Sequence, residues 1–258
     1  MRHPFTLIAL LLTLLTGCAS YTTPGRPADF SKLGLTPEAA AALTDYSVQQ
    51  TLSKKPLVTF PAALAVVRVQ SADYNSYSYD RYYGNTPRGA YSVLTIRDIE
   101  KDADFDALAK LPRLDGVAGI KRILLDKTLN SDLELRNAAA KLNANLLLYY
   151  TLDTAFKTDT HIAPLGLITL GLAPTKEAKV TCTASAVLMD TRNGYVYGVY
   201  ESTAANDQLA NAWTSAEALD QARQKTERQA FEGLLASFQK EWPTVLKNYD
   251  KPAAASAR

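Results

Sequence analysis

Asn193-Gly194 lies between two alternating apolar runs and sets how the C-terminal half of this chain can fold. The runs are Lys179 to Asp190 and Tyr195 to Thr203, joined through Thr191-Arg192-Asn193-Gly194. Asn-Gly takes up the positive φ angles of a tight hairpin at little steric cost, so the two runs are predicted to be antiparallel neighbours. Ahead of them, Leu146 to Phe156 reads Leu-Leu-Leu-Tyr-Tyr-Thr-Leu-Asp-Thr-Ala-Phe, the best strand signal in the chain.

The remaining periodicities alternate strand with helix. Ala62 to Gln70 is a short apolar β-branched run that predicts a buried strand, and Tyr91 to Arg97 is a second candidate. Phe105 to Leu111 reads as a short helix stopped by Pro112. Leu114 to Leu125, with Gly116 and Gly119, holds a short strand or a short helix. Asn130 to Leu142 reads as a helix ended by Asn143-Ala144-Asn145. Thr36-Pro37-Glu38 looks like an N-cap followed by a first-turn proline, opening a helix to about Leu52. The last element is a long helix from about Trp213 to Trp242, closed by Pro243. Its stripe is Leu219, Ala222, Thr226, Ala230, Leu234 and Phe238. The expected fold class is α/β (α+β): a mixed sheet with a C-terminal antiparallel hairpin, packed by helices. One domain is expected over 36–249, with a disordered tail at 250–258.

The N-terminus has a different layout. Arg2 is followed by an apolar run from Phe5 to Leu15, too short to span a bilayer as a helix. Leu15-Thr16-Gly17-Cys18 then resembles the lipobox of bacterial lipoproteins. The resemblance implies cleavage before Cys18, leaving 1–17 as signal peptide, and lipidation of Cys18. One acyl chain binds a membrane only marginally, whereas the three that lipoproteins carry make a stable anchor. Ala19, rather than Asp, after the cysteine resembles lipoproteins sorted to the outer membrane. Residues 18–35, with Pro24, Gly25 and Pro27, read as the lipidated N-terminus and a linker.

Composition narrows the function classes. The chain is 47% hydrophobic and 21% charged, ordinary for a globular protein. Losing Arg2 with the leader leaves 27 basic against 26 acidic residues, a net charge near +1. Nucleic-acid binding needs a clustered basic footprint, so no nucleic-acid partner is expected. With Cys18 lipidated, Cys182 has no intramolecular partner, and its apolar alternating surroundings predict a buried, inert thiol. His161 is the one histidine beyond the leader and reads as a loop residue. One histidine and one free cysteine cannot build a usual zinc site, and no nucleophile motif or phosphate-cradling loop accompanies them. No catalytic, metal or cofactor residues are therefore assigned, and no cofactor is expected.

Two stretches stand out. Asp73 to Tyr91 carries Tyr74, Tyr77, Tyr79, Tyr82, Tyr83 and Tyr91 among Asn, Ser, Gly and Pro. Tyrosine gives large contact area at low entropic cost, which suits a binding loop; it equally suits an edge whose rings pack back on the sheet. Ile162 to Pro174 is apolar, punctuated by Gly166 and Gly171, with Leu167 and Leu170 at its centre. Exposed, it would be a contact for a partner or membrane; covered, it is core.

The order of elements completes the reading. The helix running through Ala139-Ala140-Lys141-Leu142-Asn143-Ala144-Asn145 enters the strand Leu146 to Leu152, and the strand Ala186 to Asp190 ends in Thr191-Arg192-Asn193-Gly194. From Ala62 to Phe238 the chain resembles periplasmic lipoproteins with an anticodon-binding-like α/β domain. That group includes the curli-secretion lipoprotein and the lipoprotein activators of penicillin-binding proteins. Asn145 departs from the pattern, where an acidic residue is common. The resemblance implies a two- or three-layer domain and a non-enzymatic role. The expected protein is a periplasm-facing outer-membrane lipoprotein. It would be anchored through Cys18 and bind envelope protein partners or copies of itself, as an assembly or secretion accessory. The candidate contact residues are Tyr77, Tyr79, Tyr82, Tyr83, Leu167 and Leu170. The alternative is an envelope enzyme acting on glycan through paired carboxylates.

Overall fold

The computed structural model describes residues 26–30, 44–76, 89–95, 97–126, 128–160, 176–209 and 216–250. Cys18, Tyr77, Tyr79, Tyr82, Tyr83, His161, Leu167 and Leu170 lie outside them, as do the predicted cap at Thr36 and the tail at 251–258.

The strand runs form a mixed α/β sheet, as their pattern predicts. β1 (Ala62–Ser71), β2 (Tyr91–Leu94), β3 (Leu114–Gly119), β4 (Leu146–Thr160), β5 (Lys176–Asp190) and β6 (Val196–Leu209) are ordered β2-β1-β4-β5-β6, with β3 also paired to β1. β1 is parallel to β3 and β4, and antiparallel to β2. β4–β5 and β5–β6 are antiparallel. One edge of β1 is thus shared: β3 takes residues 62–66 and β2 takes residues 68–71. Parallel strands under helices on both faces read as nearly continuous apolar runs, which explains Ala62 to Val67.

The helices are α1 (Asp45–Ser53), α2 (Asp102–Ala109), α3 (Asp132–Lys141) and α4 (Ala216–Tyr249). A 3-10 turn, Arg122–Leu124, follows β3. Alternation sends Leu64, Val66, Leu146, Leu148, Cys182, Ala184 and Leu188 to one face, beneath α2 and α4. Ala65, Val67, Val69, Leu147, Tyr149 and Met189 go to the other, beneath α3. The six-residue stripe read along α4 is buried throughout. Cys182 is free and buried, and burial pushes its thiol up to about 12, which matches the inert thiol expected from sequence.

The helix read from Thr36 to about Leu52 instead begins afresh after Thr44, whose backbone is extended and whose side chain accepts from Ser47 N to cap α1. Three further local features depart from the sequence reading. First, α4 does not stop at Pro243 but continues to Tyr249. An internal proline costs about 3 kcal/mol. The turn beyond it buries Val245 and packs Leu246 and Tyr249 on the core, which offsets that cost. Second, Tyr91 begins a strand that ends at Leu94 rather than at Arg97, and the helix read from Phe105 begins at Asp102. Third, residues 26–30, part of the stretch read as linker, pack on the sheet. Pro27 bridges Gln70, the Ala28 N–H donates to Thr151 Oγ1 (2.9 Å), and the Phe30 ring meets Tyr149 edge-on at 4.8 Å.

The hairpin is antiparallel as the sequence predicts, but of the Asn193-Gly194 pair only Gly194 takes a positive φ. Gly194 has φ 71° and its N–H donates to Asp190 O (2.9 Å). A β-branched side chain is strained in that region. Gly194→Val is expected to destabilise by about 1 kcal/mol or more, read as a fall in melting temperature; an unchanged melt would contradict the turn.

Candidate functional site

Where β2 and β3 part along the shared edge of β1, the strand carries a charge. Arg68 stands between Val67 and Val69, points to the α4 face and is 2% exposed. An arginine there must be paired, because an isolated buried charge is prohibitively costly. Its partners come from two directions. The chain leaving β2 supplies Asp98, and α4 supplies Glu227, with Arg223 one turn earlier.

The four side chains close a ring. Arg68 donates to Asp98 Oδ1 (2.8 Å) and to Glu227 Oε2 (3.2 Å). Arg223 donates to Asp98 Oδ2 (2.9 Å) and to the same Glu227 Oε2. Thr154 of β4 donates to Glu227 Oε1 (2.7 Å), so both oxygens of that carboxylate are used. Asp220 accepts from Arg223 Nε (2.8 Å), and the Tyr74 hydroxyl accepts from Arg68 (3.1 Å). Two guanidiniums face two carboxylates, which balances the ring itself, with Asp220 at its margin. The ring ties β1, β4, α4 and the 97–101 segment together.

The electrostatics follow from burial and pairing. Burial opposes the charge on Arg68, but Tyr74, Asp98, Glu227 and Glu100 outweigh it and raise its pKa well above the ordinary value. Burial likewise opposes the charge on Arg223, and Glu227, Tyr74 and Asp98 reverse the effect. Burial pushes the Tyr74 hydroxyl up to about 12. For Asp98, burial favours the neutral acid, yet Arg68 and Arg223 hold the carboxyl below its usual value.

A carboxylate with a depressed pKa contributes stability that is fully present above the unfolded value of ~3.9 and is lost as pH falls through the folded value. The melting temperature should therefore fall as pH drops below ~4. Asp98→Asn should flatten that acid limb while lowering the melt at neutral pH. An unchanged acid limb would remove Asp98 from the account.

Beside the ring, a small cleft opens in the notch between β2 and β3. It is lined by Val66, Val67, Leu94, Thr95, Phe105, Gly119 and Ile120, by the buried Arg68, Glu100 and Tyr150, and by Arg97 and Lys121. The Tyr150 hydroxyl donates to Glu100 Oε1. Glu100 Oε2 and Arg68 Nε have no hydrogen-bond partner among the described residues. One is an acceptor and one a donor, so the cleft can hold a small group offering both. At about 30 Å³ it has room for about two water molecules, not a sugar ring. Among the described residues Glu100 is the one carboxylate lining it, whereas glycoside hydrolysis uses a pair flanking the bond.

Sequence reasoning did not single out these groups. A usable signal was present: an arginine within the apolar run Val66 to Val69, and Asp220, Arg223 and Glu227 alongside the buried stripe of α4. Of the tyrosine-rich stretch, Tyr74 is fully buried against Arg68, and Tyr91 lies in β2 with its hydroxyl donating to Asp29 O (3.2 Å). These two rings pack back on the domain. Among the described residues no group of three or more His, Cys, Asp and Glu side chains could hold a metal ion, and no helix is long and apolar enough to cross a membrane.

No protein-family model and no curated protein matches the chain. Among solved structures it is similar to a Xanthomonas campestris protein of the family DUF330. The identity is 14%, over 74% of this chain and 91% of that one, with a TM-score of 0.32. It is also similar to a candidate lipoprotein from Caulobacter crescentus, at 15% identity over 47% of this chain and 82% of that one, with a TM-score of 0.24.

Proposed function

We propose that this chain is a lipid-anchored envelope lipoprotein, facing the periplasm from the outer membrane, that acts by binding other envelope components rather than by catalysis. The observation that carries the reading is Leu15-Thr16-Gly17-Cys18, placed directly after the apolar run Phe5 to Leu15. The chemistry of the described domain supports it. Arg68, Asp98, Arg223 and Glu227 are committed to one another in a ring that fastens strands to α4. Asp98 is held in its charged form, the opposite of what a general acid requires. The contact residues are those the sequence offers, Tyr77, Tyr79, Tyr82 and Tyr83 together with Leu167 and Leu170.

Cell fractionation tests the anchor. The wild-type protein should sediment with membranes, and Cys18→Ser should either accumulate as a precursor or become soluble. Equal membrane recovery of the mature forms would contradict the proposal.

A further inference from the structure

The shared edge of β1 leaves a gap. β3 pairs as far as Val66, where the Ile120 N–H donates to Val66 O (3.0 Å), and β2 begins opposite Arg68, at Leu94. The cleft occupies that gap, and two buried polar atoms in its lining are open. Arg68 spends Nη1 on Asp98 and Nη2 on Tyr74 and Glu227, which leaves Nε without a partner. Glu100 takes the Tyr150 hydroxyl on Oε1, which leaves Oε2. Burial first, and Glu100 after it, raise the Tyr150 pKa well above its ordinary value, so that hydroxyl keeps its proton and Oε2 is the oxygen left to accept. The two side chains are 1% and 4% exposed, and Arg68 Nη1 lies 4.0 Å from Glu100 Oε1. Buried polar atoms rarely stay unsatisfied, so a donor and an acceptor left open beside one cleft mark a place for a further group.

Charge and size select that group. An anion would meet the Glu100 carboxylate, and a cation would meet Arg68, with Arg97 and Lys121 also in the lining. What remains is a neutral group that accepts from Arg68 Nε and donates to Glu100 Oε2. The room, about 30 Å³, suits about two water-sized polar atoms. A primary carboxamide supplies both, an oxygen that accepts and a nitrogen that donates. One of its N–H bonds lies on the same side as its C=O, so both act in one direction. A trans backbone peptide holds its N–H and C=O opposed and cannot do this. Val66, Leu94 and the Phe105 ring, over which Arg97 lies at 4.3 Å, suit a methylene stem.

We propose that the notch between β2 and β3 is a recognition pocket for a primary carboxamide, the head of an asparagine or glutamine side chain on a protein partner. Neither Cys18 nor the contact residues named above are needed for it. Gly119 of β3 gives a way to narrow the pocket without touching the ring. A Cβ there would meet Arg97 Nη2 and Phe105 Cε1 at 3.5 Å each, an ordinary contact with two lining side chains, so Gly119→Ala should fold.

Nuclear magnetic resonance of the full-length protein, labelled with nitrogen-15, tests the pocket at its own atoms. Acetamide, N-methylacetamide, acetate and methylammonium are titrated separately, and the Arg68 Nε–H and Gly119 N–H signals are followed. Acetamide should shift both signals saturably, with a dissociation constant on the order of 1 mM, as a ligand of four heavy atoms allows. The other three should shift neither. N-acetylglutamine methylamide should bind as acetamide does, because its carboxamide ends a side chain. Gly119→Ala, with an unchanged melt, should weaken acetamide several-fold. No saturable shift with acetamide would mean that the cleft holds water only, and would overturn the proposal. An equal response to acetate or to N-methylacetamide would overturn it too, since selection by charge or by amide geometry would be absent. Acetamide binding without binding of the capped glutamine would reject a protein side chain as the occupant.

Discussion

Arg68→Met should lower the unfolding free energy by about 3–5 kcal/mol in a denaturant titration, the cost of breaking a buried ion pair from one side. The substitution keeps much of the aliphatic stem but takes a donor from Asp98, Glu227 and Tyr74 at once. Two carboxylates and a hydroxyl are then left facing one guanidinium. The contrast is Arg97, whose pair with Asp102 is largely solvated. Arg97→Ala should cost at most about 1 kcal/mol. Pairing Arg68→Met with Glu227→Gln should cost less than the two changes summed, because members of one network are not additive. Equal, small effects at Arg68 and Arg97 would show that the ring does not hold the sheet to α4.

Trp242→Ala should destabilise by about 3–5 kcal/mol, the range for removing a large buried aromatic ring. The ring is fully buried, lies tilted against Phe238 at 5.6 Å, meets Phe60 edge-on at 5.9 Å, and satisfies its indole N–H at Pro112 O. It also sits one residue before Pro243, so its loss should loosen the turn of α4 that proline alone would end. A melt shifted by no more than a surface substitution would contradict this packing.

Much of the fold was legible because burial follows period. The runs at 62–70, 146–156 and 179–190 have alternating or continuous apolar character, and the stripe on α4 repeats at helical spacing. At the hairpin, Gly194 supplies the positive φ and the Asn193 side chain accepts from the Tyr195 N–H (2.9 Å). What escaped depends on partners distant in sequence. Pro243 is tolerated because Val245 and Tyr249 meet a core built from other strands. Gln70 looks like a polar strand end. In the fold its carboxamide bridges to the Leu152 backbone, accepting from its N–H (3.0 Å) and donating to its carbonyl (2.9 Å), beyond the paired stretch of β1 and β4. Asn145, the departure from the lipoprotein pattern, accepts from Ala63 N through Oδ1 (3.3 Å) and from Thr191 N through its carbonyl (3.0 Å), locking the start of β4. The ring around Arg68 draws on residues up to 159 positions apart, a separation that no local pattern encodes.

The functional reading rests on one thiol, and intact-mass spectrometry of the mature protein tests it most directly. The account predicts a chain that begins at Cys18 and carries the mass of three acyl chains on that residue, with Cys182 unmodified. A mature protein that begins elsewhere, or that begins at Cys18 with a free thiol and amine, would contradict it.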